Sequence, residues 1–217
     1  MGLECEFFRK LLEKVAAPTS DEELLRLMLG GDVRAFEALY DRRQGGVYRY
    51  ALRMTGSQPI AEDITQDVFL SLVRDHSDYQ QSRGTVKSYL YGMARHRLLR
   101  RLERERSFIP LEANDEDEQS PYVALTSSHD PFVDLARDEV VELVRQAILS
   151  LPANFREVIV LCHLQEMGYA EAAEIISCPI GTVRSRLARA RGMLAEKLAV
   201  LKNQDGIAAG FKAEQVI

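Results

Sequence analysis

The sequence predicts an all-α protein: two small helical domains joined by an acidic linker, the second of them a helix-turn-helix. Three observations predict this class. Apolar residues recur at helical spacing along most of the chain, and no convincing alternating strand pattern interrupts them. The stretch around 107–130 loses that periodicity, is acidic and Ser-rich, and carries Pro110 and Pro121. A structureless run of that length marks a domain boundary better than a loop inside a compact domain. Near the C-terminus, a short helix, a turn containing Pro179 and a long basic helix follow one another directly.

The elements follow in order. Ser20 and Glu23 form a capping box ahead of the apolar stripe Leu24, Leu27 and Met28, which Gly30 and Gly31 end. A second helix over 32–55 carries Phe36, Leu39, Tyr40, Val47 and Leu52, with Gly45 and Gly46 expected to weaken or kink it. Pro59 opens a third helix with Ile64, Val68, Phe69, Leu72 and Val73 on one face. A polar loop over 78–85 leads to a fourth helix over 86–106. Beyond the linker, Asp130-Pro131 reads as an N-cap followed by Pro at the first helical position. That helix reaches Ser150, with Leu135, Val140, Leu143, Val144 and Ile148 as core candidates. Pro152 starts another, with Phe155, Val158, Ile159 and Leu161. A short helix covers 169–176, and Ser177-Cys178-Pro179 turns into a last helix over 180–201. The expected organisation is an N-terminal extension (1–20), a first domain (21–106), the linker (107–131), a second domain (132–202) and a tail (203–217).

A chain of 217 residues suits one or two domains. Its net charge of −5 argues, taken alone, against a nucleic-acid binder; the distribution matters more than the sum. Arg95, Arg97, Arg100, Arg101, Arg104 and Arg106 crowd one stretch, and Arg184, Arg186, Arg189 and Arg191 another. Glu112, Asp115, Glu116, Asp117 and Glu118 lie between them. Three cysteines, Cys5, Cys162 and Cys178, fit no metal spacing, and their odd number argues against a disulfide framework. No apolar run approaches the roughly 18 residues of a membrane span, and residues 1–14 mix charges into their apolar positions, unlike a signal peptide. These readings predict a soluble cytoplasmic protein with no metal and no cofactor. No Walker loop, dinucleotide fingerprint or nucleophile motif occurs, so no enzymatic activity is expected.

The most informative segment is 169–191. Small residues at Ala172 and Ala173 allow a second helix to cross closely, and Pro179 cannot continue the first helix but suits the start of the next. Val183, Leu187, Ala190 and Leu194 fall at core spacing, which turns the arginines outward. A helix fits the DNA major groove and presents its first turns to base edges. Arginine reads guanine through two hydrogen bonds or grips phosphate as a fixed charge. Thr182 and Ser185 suit phosphates beside the helix N-terminus. In the first domain, Tyr89 and Tyr91 precede Arg95, His96, Arg97, Arg100 and Arg101, the aromatic faces and cations that single-stranded DNA needs. Ile64, Val68, Leu72 and Val73 can pack inward while Asp63, Gln66, Asp67 and Arg74 present a polar face to a partner.

The run Cys178 to Arg191 resembles the last helix of the extracytoplasmic-function (ECF) sigma factors, bacterial subunits that carry RNA polymerase to promoters; Leu151 to Val158 is also similar to the family's pattern. The resemblance implies that Gly181, Thr182, Arg184, Ser185, Arg186 and Arg189 read the minus-35 promoter element. Ala61 to Leu70 resembles the family's polymerase-binding helix, which assigns Asp63, Gln66, Asp67, Phe69 and Leu70 to core polymerase. Ser88 to His96 is similar to the strand-opening signature, and the loop 78–84 stands where the family traps a flipped minus-10 base. Ser82, Arg83, Tyr89, Tyr91, Arg95, His96, Arg100 and Arg101 are the residues this implies. The partners implied are core polymerase, promoter DNA both paired and melted, and, as in many relatives, an anti-sigma factor. The acidic linker is either a solubilising spacer or, by resemblance, a mimic of RNA in the polymerase exit path.

There are departures: Gly168 stands where Ser or Thr is usual, Ala172 for a larger aliphatic, Ser177 for Gly, Val73 for an aromatic, Tyr89 for Trp, and Arg100 for an acidic residue. The competing reading is a helix-turn-helix regulator with an N-terminal sensory domain. It gives no reason for the 78–106 segment to be both aromatic and basic.

Overall fold

The computed structural model describes residues 20–74, 79, 84–107 and 134–204. Residues 1–19 of the expected N-terminal extension, most of the linker, the Asp130-Pro131 cap, Ser82, Arg83 and the far tail lie outside these residues. The described residues form α1 (Asp21–Leu29), α2 (Val33–Thr55), α3 (Gln58–Arg74), α4 (Val86–Ser107), α5 (Asp134–Leu149), α6 (Ala153–Ile159), α7 (Tyr169–Ile176) and α8 (Ile180–Gln204).

Local chemistry sets the helix starts. Ser20 Oγ accepts the Glu23 amide at 3.2 Å, and Asp32 Oδ1 accepts those of Arg34 (2.9 Å) and Ala35 (3.3 Å). Thr85 Oγ1 accepts the Ser88 amide at 3.1 Å. A carboxylate from α1 then completes the start of α4, where Glu22 Oε1 accepts the Val86 amide at 3.3 Å. Asp21 is buried (6% exposed) between the guanidiniums of Arg42 and Arg43, which ties α1 to α2. Leu25, Leu39, Val47, Met54, Val68, Leu72, Leu90 and Leu98 fill the space among α1–α4.

Helix α2 runs unbroken through Gly45 and Gly46, so the expected kink is absent. Close approach explains Gly46 instead: a Cβ there would lie 2.7 Å from the hydroxyl of Tyr91 on α4. The face assigned to α3 is corrected at Val73, which is 49% exposed rather than in the core.

After α6 the chain widens into one π turn, Val160–Leu164, which the sequence reading did not separate from the helix. Helices α7 and α8 cross over Ala172, Ile175, Ile176, Val183, Leu187 and Ala190, all buried. The turn between them places Ser177 in the left-handed region (φ 58°, ψ 49°), and the Cys178 amide donates to Ala173 O at 3.1 Å. The left-handed conformation explains the expected glycine at 177, since a Cβ there costs about 1–2 kcal/mol. Gly168 starts α7 with no side-chain cap.

The docking of the two domains was not expected. The buried apolar residues of α1–α4 and of α6–α8 form one continuous cluster. At the seam Gly56 turns with φ 69°, and a Cβ there would meet Leu149 Cδ1 at 2.9 Å.

Ser177→Gly is expected to raise the unfolding free energy by about 1 kcal/mol, and Gly168→Ser by a few tenths. Chemical denaturation checks both, and a less stable Ser177→Gly would contradict the assigned strain.

Candidate nucleic-acid interface

The α7–α8 crossing decides which side chains of α8 reach solvent. Val183, Leu187 and Ala190 point into it, so Gly181, Arg184, Ser185 and Arg189 are exposed while Thr182 and Arg186 are half-buried. Ser185 donates its hydroxyl to Thr182 O at 3.0 Å. Arg191 turns back, and its Nε donates to His163 Nε2 at 3.1 Å. Burial and the adjacent Arg191 cation lower the pKa of that imidazole, favouring the neutral form the bond requires. The guanidinium of Arg184 lies over the ring of Tyr169, 5.8 Å from its centroid. Tyr169 opens α7, and the sequence reading gave it no role.

The first-domain set divides. His96, Arg100 and Arg101 are exposed on α4, and Tyr89 is half-buried with its ring 5.4 Å from that of Tyr79. Tyr79 donates its hydroxyl to Gly84 O at 3.3 Å. Tyr91 and Arg95 are corrections to an exposed strand-binding face. Tyr91 is only 3% exposed and donates to Gln165 Oε1 of the second domain at 3.1 Å, its hydroxyl pushed up to about 12 chiefly by burial. Arg95 donates to Glu157 Oε1 at 2.9 Å. A cleft of about 570 Å³ lies between Tyr79, Tyr89, Arg95 and His96 on one wall and Glu174 and Ile175 of α7 on the other. In this arrangement the second domain takes Tyr91 and Arg95 from the face and stands across the cleft from Tyr89 and His96.

On α3, Asp63, Gln66, Asp67 and Leu70 are exposed and fall at i, i+3, i+4 and i+7, one continuous stripe. Phe69 is the exception in the expected polymerase-binding set. It is 2% exposed and packs edge-on against Tyr40 with centroids 4.8 Å apart, which makes it a core residue of the first domain.

The seam is built around two adjacent charges on α6, Arg156 and Glu157, 5% and 3% exposed. Glu157 Oε1 accepts from Tyr50 Oη and Arg95 Nε, both at 2.9 Å and both from the first domain. Burial and the neighbouring carboxylate push the Tyr50 hydroxyl well above its ordinary range, so it stays a donor. Arg156 donates to Met54 O at 2.5 Å, to Leu149 O, and to Leu151 O at 3.0 Å. Met54 and Leu149 are in the last turns of α2 and α5, so one guanidinium caps the negative ends of a helix from each domain. Burial lowers its pKa to about 10. Arg53 Nη1 adds a bond to Leu164 O at 2.5 Å, and Lys87 pairs with Glu171 at 2.8 Å. Sequence reasoning missed this network. Its only signal was two charges beside the apolar run Val158 to Leu161.

Comparison with known proteins follows the same division. Residues 39–108 match sigma-70 region 2, and residues 142–194 match sigma-70 region 4. The ECF RNA polymerase sigma factor SigW of Bacillus subtilis is 31% identical over 175 residues, covering 77% of this chain and 91% of SigW. SigE of Mycolicibacterium smegmatis is 33% identical over 166 residues; the alignment spans 76% of this chain but only 62% of SigE. Among solved structures, CnrH in complex with the cytosolic domain of CnrY has a TM-score of 0.60 at 25% identity, covering 83% of this chain and 97% of CnrH. The sigma factor RpoE of Bartonella quintana, solved with the anti-sigma factor NepR, has a TM-score of 0.58 at 24% identity, covering 77% and 99%.

Glu157→Ala takes the acceptor from both Tyr50 and Arg95 and is expected to cost about 1–3 kcal/mol for the buried groups left unmatched. Tyr50→Phe removes one donor and should cost less. Wild-type stability of Glu157→Ala in chemical denaturation would contradict the network's role in docking.

Proposed function

The chain belongs to the ECF group of the sigma-70 family of RNA polymerase sigma factors, and from that premise we propose that its two basic surfaces divide promoter recognition between paired and melted DNA. As a sigma factor it binds core polymerase, directs it to specific promoters and assists their melting. In this reading α8 enters the major groove of the minus-35 element, with Arg184 and Arg189 on base edges or phosphates and Thr182, Ser185 and Arg186 beside them. The α4 face, with Tyr89, His96, Arg100 and Arg101, takes the melted minus-10 strand by stacking and charge. The stripe Asp63, Gln66, Asp67 and Leu70 docks core polymerase, and Val73 extends it. Tyr91 and Arg95 join the strand-binding face only when the domains part.

One observation carries the reading of α8: Arg184, Ser185 and Arg189 face solvent because Val183, Leu187 and Ala190 fill the crossing with α7. The alternative of a regulator with a sensory N-terminal domain is not favoured, because sigma-70 region 2 occupies residues 39–108. We assign the chain no chemistry of its own; nucleotide addition belongs to the polymerase. No described helix is long and apolar enough to cross a membrane.

The closed arrangement is read as a resting state. Promoter elements about 25 base pairs apart lie roughly 85 Å apart along the duplex at 3.4 Å per step, so docked domains cannot serve both. The 26 residues between Ser107 and Asp134 reach at most about 90 Å when extended, enough to span that separation. CnrH and RpoE of B. quintana are each solved with a partner. We propose that an anti-sigma partner of this chain would hold the closed form. With a net charge of −5 and Arg95 held by Glu157, the isolated protein should bind promoter DNA weakly.

The test is runoff transcription from a promoter library by core polymerase supplied with this protein. Specific transcripts are expected, and silence with active core enzyme would sink the reading. Arg184→Ala and Arg189→Ala should each weaken use of the upstream element by about 1–3 kcal/mol per lost base contact. Unchanged promoter choice in both variants would remove those residues from the readout.

A further inference from the structure

Tyr169 is a large aromatic that the fold leaves on the surface. It is 40% exposed, and its ring takes no part in the continuous core that absorbs Tyr40, Tyr48, Tyr79 and Tyr89. Core packing therefore does not account for it. Its ring contact is with Arg184, whose guanidinium carbon lies 5.8 Å from the ring centroid, inside the range of a cation–π interaction. The two residues come from different helices, so the contact bridges the crossing that defines the DNA-binding domain.

The electrostatics around Arg184 make the stack unusual. Carboxylates are nearby on α7, but they are used elsewhere: Glu171 pairs with Lys87 at 2.8 Å, and Glu174 lines the cleft beside Gly84. Among the described residues no acidic side chain pairs with Arg184. An ion pair would have occupied the N–H edge of the guanidinium and competed with DNA. Stacking occupies only the face and leaves the donor fork free for a bidentate contact.

We propose that Tyr169 is a positioning residue for promoter readout: it fixes the plane of Arg184 before DNA arrives. An arginine loses substantial rotamer freedom when it binds, and a side chain already held near its bound pose loses less. The proposal rests on the reading above in which Arg184 meets a base. It assigns specificity to a residue that itself touches neither base nor phosphate. The rival role for Tyr169 is a direct hydroxyl contact to a phosphate. The two differ in what Phe can replace, since Phe keeps the face and loses the hydroxyl.

The experiment uses core polymerase with the full chain and competitive runoff over promoters randomised at each upstream-element base. Variants are Tyr169→Phe, Tyr169→Leu, Arg184→Ala and the Tyr169→Leu/Arg184→Ala double, with thermal unfolding of each compared to confirm folding. Tyr169→Leu should weaken base preference about two- to fivefold, at the same base position that Arg184→Ala affects. Tyr169→Phe should retain the preference, and the double variant should be no worse than Arg184→Ala alone. A Tyr169→Phe as defective as Tyr169→Leu, or a double variant in which the two losses multiply, would overturn the positioning role. An Arg184→Ala that leaves every base preference intact would instead overturn the underlying assignment of Arg184.

Discussion

Glu157 is a buried carboxylate whose hydrogen-bond partners, Tyr50 and Arg95, both belong to the other domain. The closed architecture depends on that constraint. A buried, unpaired carboxylate is expensive, so the charge is tolerated in the seam only while α2 and α4 present their donors. Arg156, one residue earlier, works in the opposite sense: two of its three carbonyl acceptors lie in its own domain and one at the end of α2. Adjacent charges thus lock the seam from both sides. Such a lock is reversible, because polar bonds of this kind exchange for water at a net cost near 1 kcal/mol each. The apolar cluster beneath makes closure favourable, and the polar bonds fix its register.

Closure has unequal consequences for the two surfaces proposed to meet DNA. The solvent side of α8 stays open. The α4 face loses Tyr91 and Arg95 to the seam and has α7 opposite Tyr89 and His96. In the proposed reading, the docked form presents the duplex-reading helix in full and the strand-binding face only in part, with His96, Arg100 and Arg101 still exposed. In the proposed reading, melted DNA and the second domain compete for Arg95, the cation that Glu157 holds.

Most of the fold was legible because its signals are local. The Ser20 cap and the Gly30-Gly31 stop set the early helix boundaries, and the spacing of Val183, Leu187 and Ala190 gave the orientation of α8. What failed depended on tertiary placement. Gly46 reads as a weak point in a helix until Tyr91 is seen resting against it. Phe69 and Leu70 are neighbours in one motif, yet α3 turns one inward and the other out, and a one-residue difference on a helix is about 100°. Tyr91 and Arg95 sit on the face chemistry would choose for DNA, but that face is also where the second domain docks. No periodicity reveals a contact between segments some 60 to 110 positions apart, such as Arg95 with Glu157 or Tyr50 with Glu157.

The central claim is that one chain alternates between this docked form and a parted form on the promoter. The most direct measurement is the distance between spin labels at two exposed positions, Glu37 on α2 and Glu196 on α8. It would be made by pulsed electron resonance on the full chain alone and then bound to core polymerase and promoter DNA. The account predicts a single narrow distance distribution for the free protein and a shift of tens of ångströms in the promoter complex. A broad distribution in the free protein, or an unchanged distance in the complex, would contradict it.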